Sequence, residues 1–385
     1  MGSEAPVDIL LTRPTLGEGG ADRVTVTLLR HLSRARFRLG LALMRAEGTL
    51  LSEVPGDVVV HDLAARNLWT AAGPLTRLLR ERPPDVLFAT CGGMSVPAVL
   101  AARRSGFRGR IVLSERNGLV RDQPRWKSLL LVALKRRLYR HADLVMAVSD
   151  GVREDAVRRL RLPPGRVITV YNPVVTPDLD RRAAESLEPP WSHPDPPVVL
   201  AAGRLVPAKG FHSLLRAFAS LRSRRPCRLV ILGEGPLRPS LEALASSLSI
   251  ADDLLLPGFD ANPLRWMSRC SVFALSSRFE GLPGVLIQAM ACGAPVVATD
   301  CPFGPAEIVE DGRNGFLVPL GSEEALAAAL DRALSLDPRA RRRLSDAARA
   351  TAERFRLDRI LPLYERAITG APTDGWPMPA RSAGK

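Results

Sequence analysis

Two cations and one acid, each on a short loop behind an apolar run, are the residues of this chain best suited to chemistry. Arg204 and Lys209 stand in "AAGRLVPAKG", directly behind Gly203 and ahead of a helix-length segment opening near Phe211. A guanidinium is a planar fork and an ammonium a compact point charge, so the two on one strand-end loop suit a diphosphate. A solvated loop is an equal reading when this stretch is taken alone. Glu280 stands in "SSRFEGLPGVLIQAMACGAPVVATD", residues 276–300, on a Gly/Pro-rich turn between an apolar strand and a small-residue helix. Pro283 takes the place where a helix's first residue tolerates a missing amide. Gly281, Leu282, Gly284 and Val285 then turn free amides toward whatever lies above the strand end. A carboxylate there only accepts hydrogen bonds, which suits hydroxyl donors rather than phosphate oxygens. A sugar hydroxyl beside a diphosphate satisfies both requirements. Gln288, eight residues after Glu280, lies about two turns along the helix on nearly the same face.

A second glycine-rich loop, "PTLGEGGADRV", places Gly17, Gly19 and Gly20 between the first apolar run and the first helix-length segment. Its amides can approach an anion, and a flexible turn is an equal reading because the spacing is not G-x-G-x-x-G. A D-x-D appears at Asp178-Leu179-Asp180, toward a linker and away from any strand-end loop, and reads as chance. The five cysteines include no C-x-x-C and the five histidines no H-x-x-x-H, so no metal site or disulfide framework is expected. The chemistry is expected to need neither metal nor cofactor.

These loops need a scaffold. From "VDILLTR" onward, short apolar runs alternate with helix-length segments such as 21–33 and 95–104, and "RLGLALM", "DVVVHDL", "DVLFAT", "RIVLSE", "DLVMAVS" and "VITVYNP" read as buried strands. The alternation restarts at "VVLAAGR" and runs through "CRLVILGEG", "DLLLPGF", "SVFALSS", "APVVATD" and "GFLVP". Continuous apolar strands separated by helices indicate parallel sheets covered on both faces. The fold class expected is α/β, with two tandem Rossmann-like doubly wound domains and a site in the cleft between them. The boundaries read as 1–184 for the first domain, 185–197 for a Pro-rich linker and 198–350 for the second domain. A C-terminal helix at 351–369, placed to pack back on the first domain, and a disordered tail at 370–385 complete the chain.

At 385 residues with 24% charged and 46% hydrophobic side chains, both halves have the composition of folded domains. No apolar run reaches the roughly 18 residues of a membrane span, and no signal peptide opens the chain, so the expected place is the cytoplasm. The formal charge of +14 is unevenly spread: residues 1–182 carry 30 basic and 18 acidic side chains, the remainder 24 and 22. The first half therefore favours an anionic partner. In "RDQPRWKSLLLVALKRRLYRHADL", Trp126, Lys127, Lys135, Arg136 and Arg137 fall among leucines. Taken alone this reads equally as a basic amphipathic helix against an anionic membrane surface or as a core-facing helix with a solvated basic face, and the basic balance of the first half tips the reading to the membrane, with the protein peripheral on the inner face of the plasma membrane. A nucleic-acid partner rests on the high pI alone, and aromatics at 5% are not interleaved with the basic run, so none is expected.

"GRLVPAKG", "SSRFEGLPGVLIQAMACGAPVVATD" and "GFLVP" resemble the nucleotide-sugar domain of the large retaining glycosyltransferase family four, which has the GT-B architecture. "EGGADRV", "SERNG", "YRHADLVMAVSDGV" and "YNPVV" resemble its first domain, so the likeness spans nearly the whole chain. The resemblance implies that Arg204 and Lys209 bind the donor diphosphate, that Glu280 meets the donor sugar's hydroxyls, and that the amides after it assist. It implies that the Gly17–Gly20 loop closes over the donor, and that 300–307 lines the cleft nearby. Two departures stand out. The family's second glutamate is replaced by Gln288, a neutral acceptor without charge assistance, and "ATCGGMS" lacks the histidine some members carry near the reacting centre. The implied activity is transfer of a sugar, with retention, from a nucleotide-diphosphate sugar, UDP foremost, to a hydroxyl of a lipid-linked or surface-polysaccharide precursor. The alternatives are a catalytically weak nucleotide-sugar-binding protein and a nucleotide-sugar epimerase of the same architecture.

Overall fold

The computed structural model describes residues 5–119, 125–187 and 196–371, with the side chains of 125–127 outside that description. Its first sheet contains β1 (Val7–Arg13), β2 (Phe37–Leu43), β3 (Val59–Asp62), β4 (Val86–Ala89), β5 (Arg110–Glu115), β6 (Leu144–Ala147) and β7 (Val167–Thr169). Its order is β3-β2-β1-β4-β5-β6-β7. The second sheet contains β8 (Val198–Ala202), β9 (Arg228–Leu232), β10 (Leu254–Gly258), β11 (Val272–Leu275), β12 (Val296–Asp300) and β13 (Phe316–Pro319), in the order β10-β9-β8-β11-β12-β13. Every pairing is parallel. Each sheet thus reverses its strand order once, between β1 and β4 and between β8 and β11. At such a switch point the flanking loops diverge and leave a crevice above the strand ends.

The strands form where the apolar runs lie because both faces are covered: β4 and β8 are buried throughout, and Leu11, Phe88, Leu113, Val199 and Leu200 have no exposed surface. The run "DVVVHDL" departs from that pattern. β3 closes an edge of the first sheet, and its Val59 and Val60 are 53% and 38% exposed rather than buried. One apolar cluster joins the inner faces of the two halves, including Val24 and Leu28 of the first, Leu286 and Ile287 of the second, and Tyr171 and Phe355 between them.

The last helices carry the chain back. Ser322 and Asp337 cap the helices Glu323–Leu334 and Pro338–Ala352, accepting from the amide of Ala325 at 3.1 Å and from that of Arg339 at 2.8 Å. The amides of Val174 and Val175 then donate to the Phe355 carbonyl, each at 3.0 Å. The helix Leu357–Thr369 lies against the first sheet, with the Tyr364 ring 6.5 Å from that of Phe88 and Glu365 paired to Arg36 at 2.5 Å.

Candidate functional site

The loops behind β8 and β11 are tied together before they present any side chain. The Arg278 amide donates to the Ala208 carbonyl at 2.8 Å, and the Ser276 hydroxyl donates to the Lys209 carbonyl at 2.9 Å. Gly210, at φ +64°, fits where a Cβ would stand 2.1 Å from the Ser276 carbonyl oxygen. On this frame the Lys209 Nζ lies 2.6 Å from Glu280 Oε1, which also accepts from the Ser277 hydroxyl at 2.6 Å. The Lys209 stem runs across Gly203, whose φ is +156°. Arg204 is exposed at the cleft wall, and its guanidinium takes no partner among the described residues. Pro283 caps rather than begins the helix Gly284–Ala291. Among the described residues the amides of Gly281, Leu282, Gly284 and Val285 meet no protein acceptor. Gln288 is half-buried on the same wall.

The opposite wall comes from the ends of β1, β4 and β5. Gly17, Gly19 and Gly20 line it, but the Gly19 amide already donates to Asp22 Oδ2 at 3.1 Å, and Asp22 pairs with Arg13 at 2.5 Å. An acid inside the first helical turn satisfies part of that terminus, so the anion cradle expected of this loop is partly filled by the chain itself. Behind it, Arg116 is buried, donating to the Thr90 carbonyl at 2.6 Å and to Asn172 Oδ1 at 2.9 Å. Burial holds its guanidinium below the ordinary arginine range. Between the walls lies a cleft of about 1230 Å³ lined from both halves, room for a nucleotide-sized ligand and more.

The halves meet closely around the cleft. A Cβ on Gly281 would stand 1.9 Å from the Arg116 carbonyl oxygen, so the turn after Glu280 seats directly on the first half. Phe303, at φ +68°, packs over Gly118 and Gly151. Glu307 does not line the cleft as expected for 300–307. Its two oxygens accept from the amides of Asp150 and Gly151, each at 2.8 Å, at the start of the helix Asp150–Leu160. A carboxylate on a free helix N-terminus is favourable electrostatically, which is why this acid turns away from the site.

The helix Arg125–Tyr139 corrects the expectation of a basic surface stripe. Lys135 is buried, its Nζ 2.7 Å from Glu115 Oε1, and Arg136 is half-buried and donates to the Arg159 carbonyl at 3.0 Å. Arg137 is exposed, as are Leu129 and Leu130, at 66% and 64%. The Trp126 and Lys127 side chains lie outside the described residues. Asp178 of the D-x-D does reach the cleft wall, where it accepts from the Thr176 hydroxyl at 2.5 Å. Among the described residues no group of three His, Cys, Asp or Glu is placed to hold a metal ion. Sequence reasoning missed Glu115, although its position signals it: an acid ending an apolar strand one place from the switch point faces the crevice.

Comparisons with known proteins agree with this geometry. Residues 18–178 match the model described as Glycosyltransferase Family 4 and residues 185–351 that described as Glycosyl transferases group 1. A Campylobacter jejuni relative, N-acetylgalactosamine-N,N'-diacetylbacillosaminyl-diphospho-undecaprenol 4-alpha-N-acetylgalactosaminyltransferase, is 31% identical over 89% of this chain and 93% of its own. The lipopolysaccharide core biosynthesis glycosyltransferase LpsE of Rhizobium meliloti is 32% identical over 92% and 97%. The structure of HepE from Anabaena in complex with UDP and glucose superposes with a TM-score of 0.76 at 21% identity, covering 94% of this chain and 100% of that one. Two parallel α/β domains facing one cleft, with relatives of this identity along nearly their full length, place the chain in glycosyltransferase family 4, with the GT-B fold, as a glycosyltransferase.

Proposed function

We propose that this enzyme moves a hexosyl or N-acetylhexosaminyl group, with retention, from a UDP-sugar to a hydroxyl of a lipid-linked or surface-polysaccharide precursor. The observation that carries the donor reading is the grouping of Lys209, Glu280, the free Arg204 guanidinium and the unpaired amides of the Glu280 turn on one cleft wall. In this reading the donor diphosphate lies against Arg204, Lys209 and the start of the helix Gly284–Ala291, while Glu280 accepts from the sugar hydroxyls. As the bond from the sugar's anomeric carbon to the diphosphate oxygen breaks, negative charge grows on the leaving group, where fixed cations and amides stabilise it. The incoming hydroxyl attacks from the same face and its proton passes to the departing diphosphate. The UDP and UDP-glucose complexes of HepE support the donor class, and the name of the Campylobacter jejuni relative supports a diphosphate-linked lipid acceptor.

The first domain, 1–184, takes the acceptor, the second, 198–350, takes the donor, and the enzyme works on the cytoplasmic face of a membrane. No described helix is long and apolar enough to cross one. Leu129 and Leu130 are exposed on the acceptor half, with Arg137 exposed on the same helix and Arg140 exposed just past its end. Apolar side chains beside cations suit an anionic bilayer surface. Sedimentation with phosphatidylglycerol vesicles, lost in a Leu129→Ser/Leu130→Ser variant, tests that part. The donor reading is tested by thermal stabilisation with UDP-, GDP- and ADP-sugars beside Lys209→Ala. A shift confined to UDP-sugars and lost in the variant is expected; no shift with any of them would overturn it.

A further inference from the structure

Glu115 ends β5 beside the first switch point, and its side chain is among the most enclosed acids of the protein, 5% exposed. Both of its protein donors, Lys135 Nζ at 2.7 Å and the Tyr139 hydroxyl, go to the same oxygen, Oε1. Among the described residues nothing donates to Oε2. Glu115 lines the cleft, and its Oε2 faces Gly92, which lines the same cleft. An ionised carboxyl with one oxygen doubly held and the other bare in a crevice is an acceptor waiting for a donor.

The surroundings say which donor. Lys135 neutralises the charge, so a second cation or a metal ion gains little there, whereas a neutral hydroxyl gains a charge-assisted bond. Burial pushes the Tyr139 phenol well above its ordinary range, keeping it protonated as a donor to Oε1. The same pocket offers an ammonium within a few ångströms of the free carboxylate oxygen. Such a pair matches two neighbouring hydroxyls of one ring, one donating to the carboxylate and one accepting from the lysine. Space is provided by Gly92, where a Cβ would stand 2.6 Å from Oε2 and 3.0 Å from Lys135 Nζ. Trp69, 67% exposed, lines the same cleft and offers an apolar face for the C–H side of a sugar.

We propose that Glu115 Oε2, with Lys135 beside it, is the acceptor-recognition group of the first domain and takes a vicinal hydroxyl pair of the acceptor's terminal pyranose. This rests on the reading that the first domain binds the acceptor. The site faces the cleft wall that carries Lys209 and Glu280, as a transfer between bound sugars requires.

The test is binding of methyl glucoside, methyl galactoside and their N-acetylamino counterparts to the UDP-saturated protein, read by saturation-transfer NMR for wild type, Glu115→Gln and Gly92→Ala. At least one glycoside should bind the wild type and lose tenfold or more affinity in both variants, while the UDP-induced melting shift stays unchanged. Gly92→Ala retains both charged groups and sets a methyl within 2.6–3.1 Å of the two carboxylate oxygens and of Lys135 Nζ, so it blocks the recognition pocket without removing its charges and reports recognition even if Glu115→Gln folds poorly. The proposal is overturned if no glycoside binds, or if either folded variant binds the same glycoside as wild type does. Loss of the UDP shift in the wild type itself would instead strike the donor reading.

Discussion

Lys209 and Glu280, 71 residues apart in the chain, form an ion pair at 2.6 Å on the wall of the cleft. The groups assigned to the donor's diphosphate and to its sugar thus contact each other directly. Residues in contact couple energetically, so the two should act as a unit. Lys209→Ala and Glu280→Gln should each lower kcat/KM by about 10²–10³, or roughly 2.7–4 kcal/mol. The double variant should lose much less than the product of the two. Additive losses in a steady-state double-mutant cycle would show that the residues serve the donor independently.

Gly281 has no room for a side chain: a Cβ would stand 1.9 Å from the Arg116 carbonyl oxygen, a backbone atom that cannot swing aside. Gly281→Ala should therefore push the two halves apart at the turn that carries Glu280. Transfer should fall by about 10²-fold, since misplacement of roughly 1 Å at a reacting centre has that cost. UDP affinity, made mostly within the second domain, should change far less. Calorimetry with UDP beside a transfer assay separates the two, and equal losses in both would contradict the argument.

Gln288 lies on the cleft wall about two turns along the helix that begins behind Glu280. A neutral amide carbonyl accepts a hydroxyl more weakly than a carboxylate, by about 1 kcal/mol. Gln288→Glu should tighten UDP about fivefold at pH 8. An unchanged or weaker dissociation constant would mean that Gln288 does not face the ribose.

The strands of the described residues were legible in the sequence, because most of them are buried and write themselves as apolar runs. β3 was legible as a strand but not as an exposed edge, since Val59 and Val60 look the same whether a neighbour covers them or not. The donor wall was readable because Arg204, Lys209 and Glu280 sit on loops whose glycines and prolines announce a strand end. Lys135 was misread for a physical reason. A lysine in a basic helix is normally solvated, and only the tertiary pairing with Glu115, 20 residues away, reveals it as buried. Glu307 was misplaced likewise, because its partners are backbone amides of the other half, which no side-chain pattern encodes.

Glu307 also gives the domain contact a pH dependence of definite sign. Burial holds its carboxyl above the ordinary 4.5; the amides of Gly151 and Asp150 and the Tyr171 hydroxyl act the other way, and the Asp150 carboxylate adds to the rise. The folded protein therefore binds this proton more tightly than the unfolded chain. The stability from this group is fully present below its ordinary value and is lost as pH rises through the raised folded value. Glu307→Gln is neutral throughout and turns an NH₂ toward one of the two amides, so it should destabilise by about 1–3 kcal/mol in acid. The gap between wild type and variant should then shrink on going from acid up through the raised folded value, as the carboxyl ionises. Melting curves of both proteins across that range read the difference directly. A gap that stays constant, or widens with pH, would mean that the ionised carboxylate on the helix start outweighs its own desolvation.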